Sequence, residues 1–97
     1  MEHALLIEFP AQGVDAKALY QAVVEELGLG ESGLAAGAIS HTAAMSETSL
    51  LTIFELWETR EAQEEFMRLQ LMPALQKAGA PAPTRVEWLD VYAHSHT

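Results

Sequence analysis

The sequence predicts an α+β domain of order β-α-β-β-α-β, and three observations carry that expectation. Short stretches rich in branched and aromatic residues alternate with longer stretches of helical periodicity. The two middle strand stretches follow one another with no helix between them, as in the split β-α-β arrangement of ferredoxin-like folds. A length of 97 residues suits one core, since a chain this short rarely holds two. Residues 1–97 are therefore expected to form a single domain.

His3 to Phe9 (HALLIEF) is a short apolar run closed by Pro10, which suits a buried strand. Asp15 precedes a helical pattern in which Leu19, Tyr20, Val23, Val24 and Leu27 recur at spacings of one, three and four. Asp15 can cap the first turn, and Gly28 can end the helix in a left-handed conformation. Leu34 to Ala44 is rich in Ala and Gly, but its position predicts the first arm of a hairpin, with Met45-Ser46-Glu47-Thr48 as the turn. Leu50 to Trp57 (LLTIFELW) is the strongest strand signal in the chain. Thr59 is placed to cap a long second helix over Arg60 to Ala78, whose apolar face includes Ala62, Phe66, Leu69 and Met72. Pro73 lacks an amide hydrogen and its ring crowds the carbonyl of Leu69, so a kink or break is expected near residues 69–73. Gly79-Ala80-Pro81-Ala82-Pro83 is a linker, and Val86 to Ala93 forms the last strand.

In this arrangement the sheet is antiparallel, in order 4-1-3-2, with both helices on one face. A sheet with one wet face should alternate apolar with polar residues, and these strands mostly do not. The first strand puts Leu5, Ile7 and Phe9 on one side, with Ala4 and Leu6 on the other. The third sets Leu50, Phe54 and Leu56 against Leu51, Ile53 and Trp57. The fourth sets Leu89 and Val91 against Val86, Trp88 and Tyr92. Two helices cover one face only, which leaves a second apolar surface, expected to hold Leu6, Leu51, Ile53, Trp57, Val86, Trp88 and Tyr92. Such a patch exceeds what monomers usually tolerate, and twofold homodimers are the commonest cover. A sheet-on-sheet homodimer is the expectation.

Fourteen acidic residues against five Lys and Arg give a net charge of −9. Nucleic acids and anionic membrane surfaces repel such a chain, because affinity for either comes mainly from Lys and Arg. No apolar run is long enough to span a membrane, and Met1-Glu2-His3 lacks the basic start of a signal peptide. Without cysteine there are no disulfides, thiolate metal sites or cysteine nucleophiles, and a cytoplasmic location fits. Gly28-Leu29-Gly30 with Gly33 matches GxGxxG in letters, but it follows a helix instead of joining a strand to one, so no dinucleotide site is read there.

The stretch Phe54-Glu55-Leu56-Trp57-Glu58-Thr59-Arg60-Glu61-Ala62 resembles the strand-to-helix junction of the dimeric α+β barrel superfamily, in its antibiotic-biosynthesis-monooxygenase-like branch. Leu71-Met72-Pro73-Ala74-Leu75 followed by Ala78-Gly79 is similar to an ending found in many of its uncharacterised members. The resemblance implies a homodimer with a small-molecule cleft between sheet and helices in each subunit. Some members oxidise aromatic substrates such as quinols with neither metal nor flavin, others degrade haem, and many have no known activity; no cofactor is expected for this chain. Trp57 is implied to lie near the cleft, with Glu55 on the same side. One departure bears on chemistry: fuller motifs carry a His nine residues after the Trp, and Phe66 stands there. That counts against haem degradation and weakens the oxygenase reading.

The candidate site groups Glu55 and His41 as proton-handling residues, with Trp57, Trp88, Tyr92 and Phe66 contacting substrate. A carboxylate in the most apolar strand, next to a His, can relay protons during oxidation or enolisation. If the hairpin centres on Ser46, His41 falls opposite Leu51 and shares the face of Glu55; a one-residue shift sends it to the other face. Glu55 can equally serve a structural ion pair across a dimer, and the two Trp can be core residues. His3, His94 and His96 could converge where the first strand begins and the fourth ends, but terminal, solvated His is the simpler reading and no metal site is expected. Two functions remain: a cofactor-free enzyme acting on a small aromatic or polyketide-like compound, and a non-catalytic dimer that binds an apolar ligand or merely uses the fold.

Overall fold

Strand β1 (His3–Pro10) occupies the interior of the sheet, paired on one side with β3 (Leu50–Trp57) and on the other with β4 (Arg85–Asp90). β2 (Ala38–Met45) pairs with the far side of β3, giving the antiparallel order β2-β3-β1-β4. This is the expected ferredoxin-like α+β arrangement. The computed structural model describes residues 2–10, 16–30, 33–45 and 50–93. Asp15, residues 46–48 of the expected hairpin turn, His94 and His96 lie outside the described residues.

Helix α1 (Ala16–Leu27) ends as its sequence predicts: Gly28 turns left-handed at φ 59 and donates its amide to the Val24 carbonyl at 3.2 Å. The second strand starts later than expected, because residues 36 and 37 make a turn and Ala38 donates to the Ala35 carbonyl. That turn needs Gly37, whose φ is 87 and whose missing Cβ would sit 2.7 Å from the Ala62 Cβ. Met45 belongs to β2, where it pairs with Leu51, and not to the turn. β4 stops at Asp90, so Val91 to Ala93 are not strand.

The long second helix begins at α2 (Arg60–Phe66), where the Thr59 hydroxyl accepts the Ala62 amide at 3.1 Å. Glu61 in the first turn sits favourably at the positive end of the helix dipole. Pro73 does not break the helix, and the irregularity expected near residues 69–73 is a π-turn. The helix widens into a π-turn over Met67–Leu71, and the Met72 amide reaches back five residues to the Met67 carbonyl. The wider turn makes room for the proline ring, which comes just inside the first turn of α3 (Met72–Ala78), where no amide donor is needed. Gly79 closes α3 in a left-handed conformation.

The core lies between sheet and helices. Leu5, Ile7, Ile53 and Trp57 of the sheet are buried against Phe66, while Val23 of α1 packs on Ala74 and Leu75 of α3. The composition of the two sheet faces differs from expectation. His3 pairs with Trp57 and Ile7 with Ile53, so odd-numbered residues of β1 and β3 share a face, and that face is the one beneath the helices. Trp88 and Val86 join it as neighbours of Leu5 and Ile7. Of the surface expected to be uncovered, Leu51, Ile53, Trp57, Val86 and Trp88 therefore belong to the helix side and only Leu6 to the other, while Tyr92 lies beyond the end of β4 and is exposed. Alternation along each strand gives parity without register, and a register shift of one reverses every side chain. The opposite face instead carries Ala4, Leu6, Phe54, Leu56 and Leu89, together with Glu8, Thr42, Thr52, Arg85 and Glu87.

Candidate active site

Strand periodicity puts Glu55 two residues before Trp57 on the helix-side face, and both are buried, at 7% and 1% exposure. The β2 register then decides His41. It pairs with Glu55 and not with Leu51, so the hairpin is offset from the one centred on Ser46, yet by an even step that keeps His41 on the helix side. A β-bulge between Ala38 and Ser40 makes this compatible with Ala38 packing beneath the helices: the extra residue resets the alternation.

These residues form a continuous hydrogen-bonded line. The Trp57 indole N–H donates to Glu55 Oε1 at 3.0 Å. Glu55 Oε2 lies 2.8 Å from His41 Nδ1. His41 Nε2 lies 2.7 Å from the Tyr20 hydroxyl. With Trp57 occupying one carboxylate oxygen, Glu55 accepts Nδ1–H on the other, so in the neutral ring Nε2 is the free basic nitrogen and accepts from Tyr20. Burial, aided by the nearby Glu55 charge, pushes the Tyr20 pKa above the ordinary phenol value. Tyr20 therefore keeps its proton at neutral pH and can act as a donor.

The line runs along the wall of a cavity of about 100 Å³ between the sheet and the helices. That is several times the space one water needs, about 10–15 Å³. Apart from Tyr20, His41 and Glu55, its described lining is apolar, with Ile7, Phe9, Val23, Leu27, Ile53 and Phe66 prominent. Trp57 forms part of the wall and meets Phe66 with ring centroids 5.7 Å apart.

The cavity thus brings together four of the candidate residues, Glu55, His41, Trp57 and Phe66, and leaves out two. Tyr92 is fully exposed. Trp88 packs at the edge of the core, with the Arg60 guanidinium 5.1 Å from its ring and His3 edge-on to it. Sequence pattern misses Tyr20 as a site residue, because at helical spacing beside Leu19 and Val23 it reads as core. Its hydroxyl is the available signal, since a buried phenol usually finds a polar partner. Among the described residues no group of three or more His, Asp and Glu side chains is arranged to hold a metal ion.

No protein-family model and no curated protein matches the sequence. Solved structures do match the fold. A protein of unknown function from Nitrosomonas europaea superposes with a TM-score of 0.74 at 17% identity, covering 99% of this chain and 94% of its own. A candidate antibiotic biosynthesis monooxygenase from Chloroflexus aurantiacus gives 0.71 at 18% identity, with 98% of each chain covered. A variant of SnoaB, a cofactor-independent oxygenase from Streptomyces nogalater, gives 0.70 at 10% identity over 96% of this chain and 95% of that one. The chain has the fold of the antibiotic-biosynthesis-monooxygenase-like proteins, as the residues around Trp57 and Pro73 implied.

Proposed function

We propose that residues 1–97 form one domain of a cytoplasmic homodimer, paired sheet to sheet. In this reading the cavity of each subunit oxidises a small aromatic or polyketide-like compound with dioxygen and no cofactor. The observation that carries it is the Trp57–Glu55–His41–Tyr20 line on the wall of an apolar cavity. A phenol or an acidic C–H bond of a bound substrate needs a base to become the electron-rich anion that dioxygen attacks. His41 is that base. A substrate proton passes to the Tyr20 oxygen while the Tyr20 proton moves to Nε2, and Glu55 stabilises the imidazolium that forms. For an anthrone, one oxygen atom of dioxygen then enters the ring as a carbonyl and the other leaves as water. The apolar wall keeps bulk water from competing. The likeness to a cofactor-independent oxygenase supports the same class of reaction.

Oxygen uptake with anthrone or a quinol tests it. His41→Ala and Glu55→Gln should each lower kcat/KM by about 100-fold, the usual contribution of general base catalysis. Uptake that survives both changes discards the proposed residues. Binding of anthrone without uptake favours the second reading, a non-catalytic ligand-binding dimer, in which Trp57 serves only as the buried core residue it also is.

A further inference from the structure

The chain has five Lys and Arg residues, all within its described part: Lys17, Arg60, Arg68, Lys77 and Arg85. None of them lines the cavity. Lys77 is drawn to Glu26, and Arg85 is held between Glu8 and Glu87 on the opposite face of the sheet. Arg60 lies over the Trp88 ring, outside the cavity. Among the described residues, the ionisable side chains on the cavity wall are Tyr20, His41 and Glu55, and Glu55 is the buried carboxylate among them. A second negative charge in this apolar space would be desolvated, repelled by Glu55 and met by no Lys or Arg. The remaining polar atoms suit a different guest. The Tyr20 oxygen can accept a hydrogen bond from a ligand hydroxyl while its own proton stays directed at His41 Nε2, or it can turn that proton to a ligand carbonyl in place of the bond to His41; the rest of the described wall offers only apolar contact.

We propose that the cavity selects uncharged ligands that carry a hydroxyl or enolisable carbonyl at one end, and excludes carboxylates of the same shape. This rests on the reading that the cavity is the ligand site, and it adds the charge class of the ligand. The selection arises from the chain's own charge distribution. Outside there is a net charge of −9; inside there is a carboxylate whose basic neighbour on the described wall is His41.

The test compares 1-naphthol with 1-naphthoate at neutral pH, by calorimetry on the full chain. The two share a ring system and differ in charge. 1-Naphthol should bind at least about tenfold more tightly. A second arm uses Val24→Lys, since Val24 lines the cavity yet is 38% exposed on α1, where a lysine is easily accommodated. This variant should narrow the difference by recruiting the carboxylate. Equal or tighter binding of 1-naphthoate to the unaltered chain overturns the selection while leaving the cavity as a ligand site. Binding of neither compound overturns the selection and the cavity reading together. An undiminished preference in Val24→Lys shows that charge is not its source, and also overturns it.

Discussion

His41 offers one nitrogen to Glu55 and the other to Tyr20, and this division gives the cluster a direction. A carboxylate that accepts at both oxygens fixes the Nδ1–H tautomer, so the free basicity of the ring points at Tyr20. The phenol is tied into the same logic, since burial and the Glu55 charge both oppose its ionisation. The consequence for stability can be signed. Below the ordinary phenol value of 10.0 both folded and unfolded chains hold the Tyr20 proton, so nothing changes with pH. As pH rises beyond it, the unfolded chain loses the proton first and the folded chain binds more protons. Stability must then fall as the pH climbs toward the raised folded value. Urea midpoints measured through this alkaline range should decline, and Tyr20→Phe should decline less; equal slopes would contradict the shift. Of this cluster, Glu55 and Trp57 are legible in the sequence, because strand alternation and a motif resemblance both mark them; His41 is legible as a candidate only, since its face depends on a hairpin register that the sequence leaves open. Tyr20 is not, since its helical spacing is that of an ordinary core residue. Trp88 and Tyr92 mislead, because aromatic character alone does not say which end of a strand faces a cavity.

Elements meet here through a few close approaches that no periodicity announces. The start of α2 touches the turn before β2 at Gly37, where a side chain would meet both a positive φ of 87 and the Ala62 Cβ at 2.7 Å. The same residue's carbonyl accepts the Glu58 amide at 2.9 Å, joining the end of β3 to that turn. Gly37→Ala should therefore cost roughly 2–4 kcal/mol, from backbone strain and overpacking together. A lowered urea midpoint with an unchanged slope would register this; a midpoint within error of the parent would show that the turn relaxes freely. Strand and helix order, the Thr59 cap and the Gly28 stop can be read directly, because they depend on local propensity. The β2 bulge and the π-turn before Pro73 cannot. Each is a one-residue adjustment made to satisfy tertiary packing or a ring clash, and the sequence shows the cause without showing which adjustment is made.

At the scale of the molecule, a dimer is still the expected assembly, although different residues now carry it. The uncovered face has lost both Trp to the helix side, so its apolar content is the smaller set Leu6, Phe54 and Leu89, with Ala4 and Leu56 already buried. Leu6 and Phe54 are direct cross-strand partners, and Leu6 neighbours Glu87 on its other side. Toward one end, the Glu8–Arg85–Glu87 ion pairs supply a polar border. An apolar centre with a charged edge is the usual anatomy of a protein interface. Phe54, 40% exposed, is the residue that gains most by being covered. Light scattering at micromolar concentration should accordingly give twice the 10.6 kDa chain mass. Phe54→Lys should return the single-chain mass, because it places a desolvated charge in the contact and, by symmetry, in both copies. The change sits on the face away from the cavity, so 1-naphthol binding measured alongside separates two designs. Binding retained by the monomer means each cavity is complete within one chain. Binding lost with the dimer means the partner supplies part of the wall.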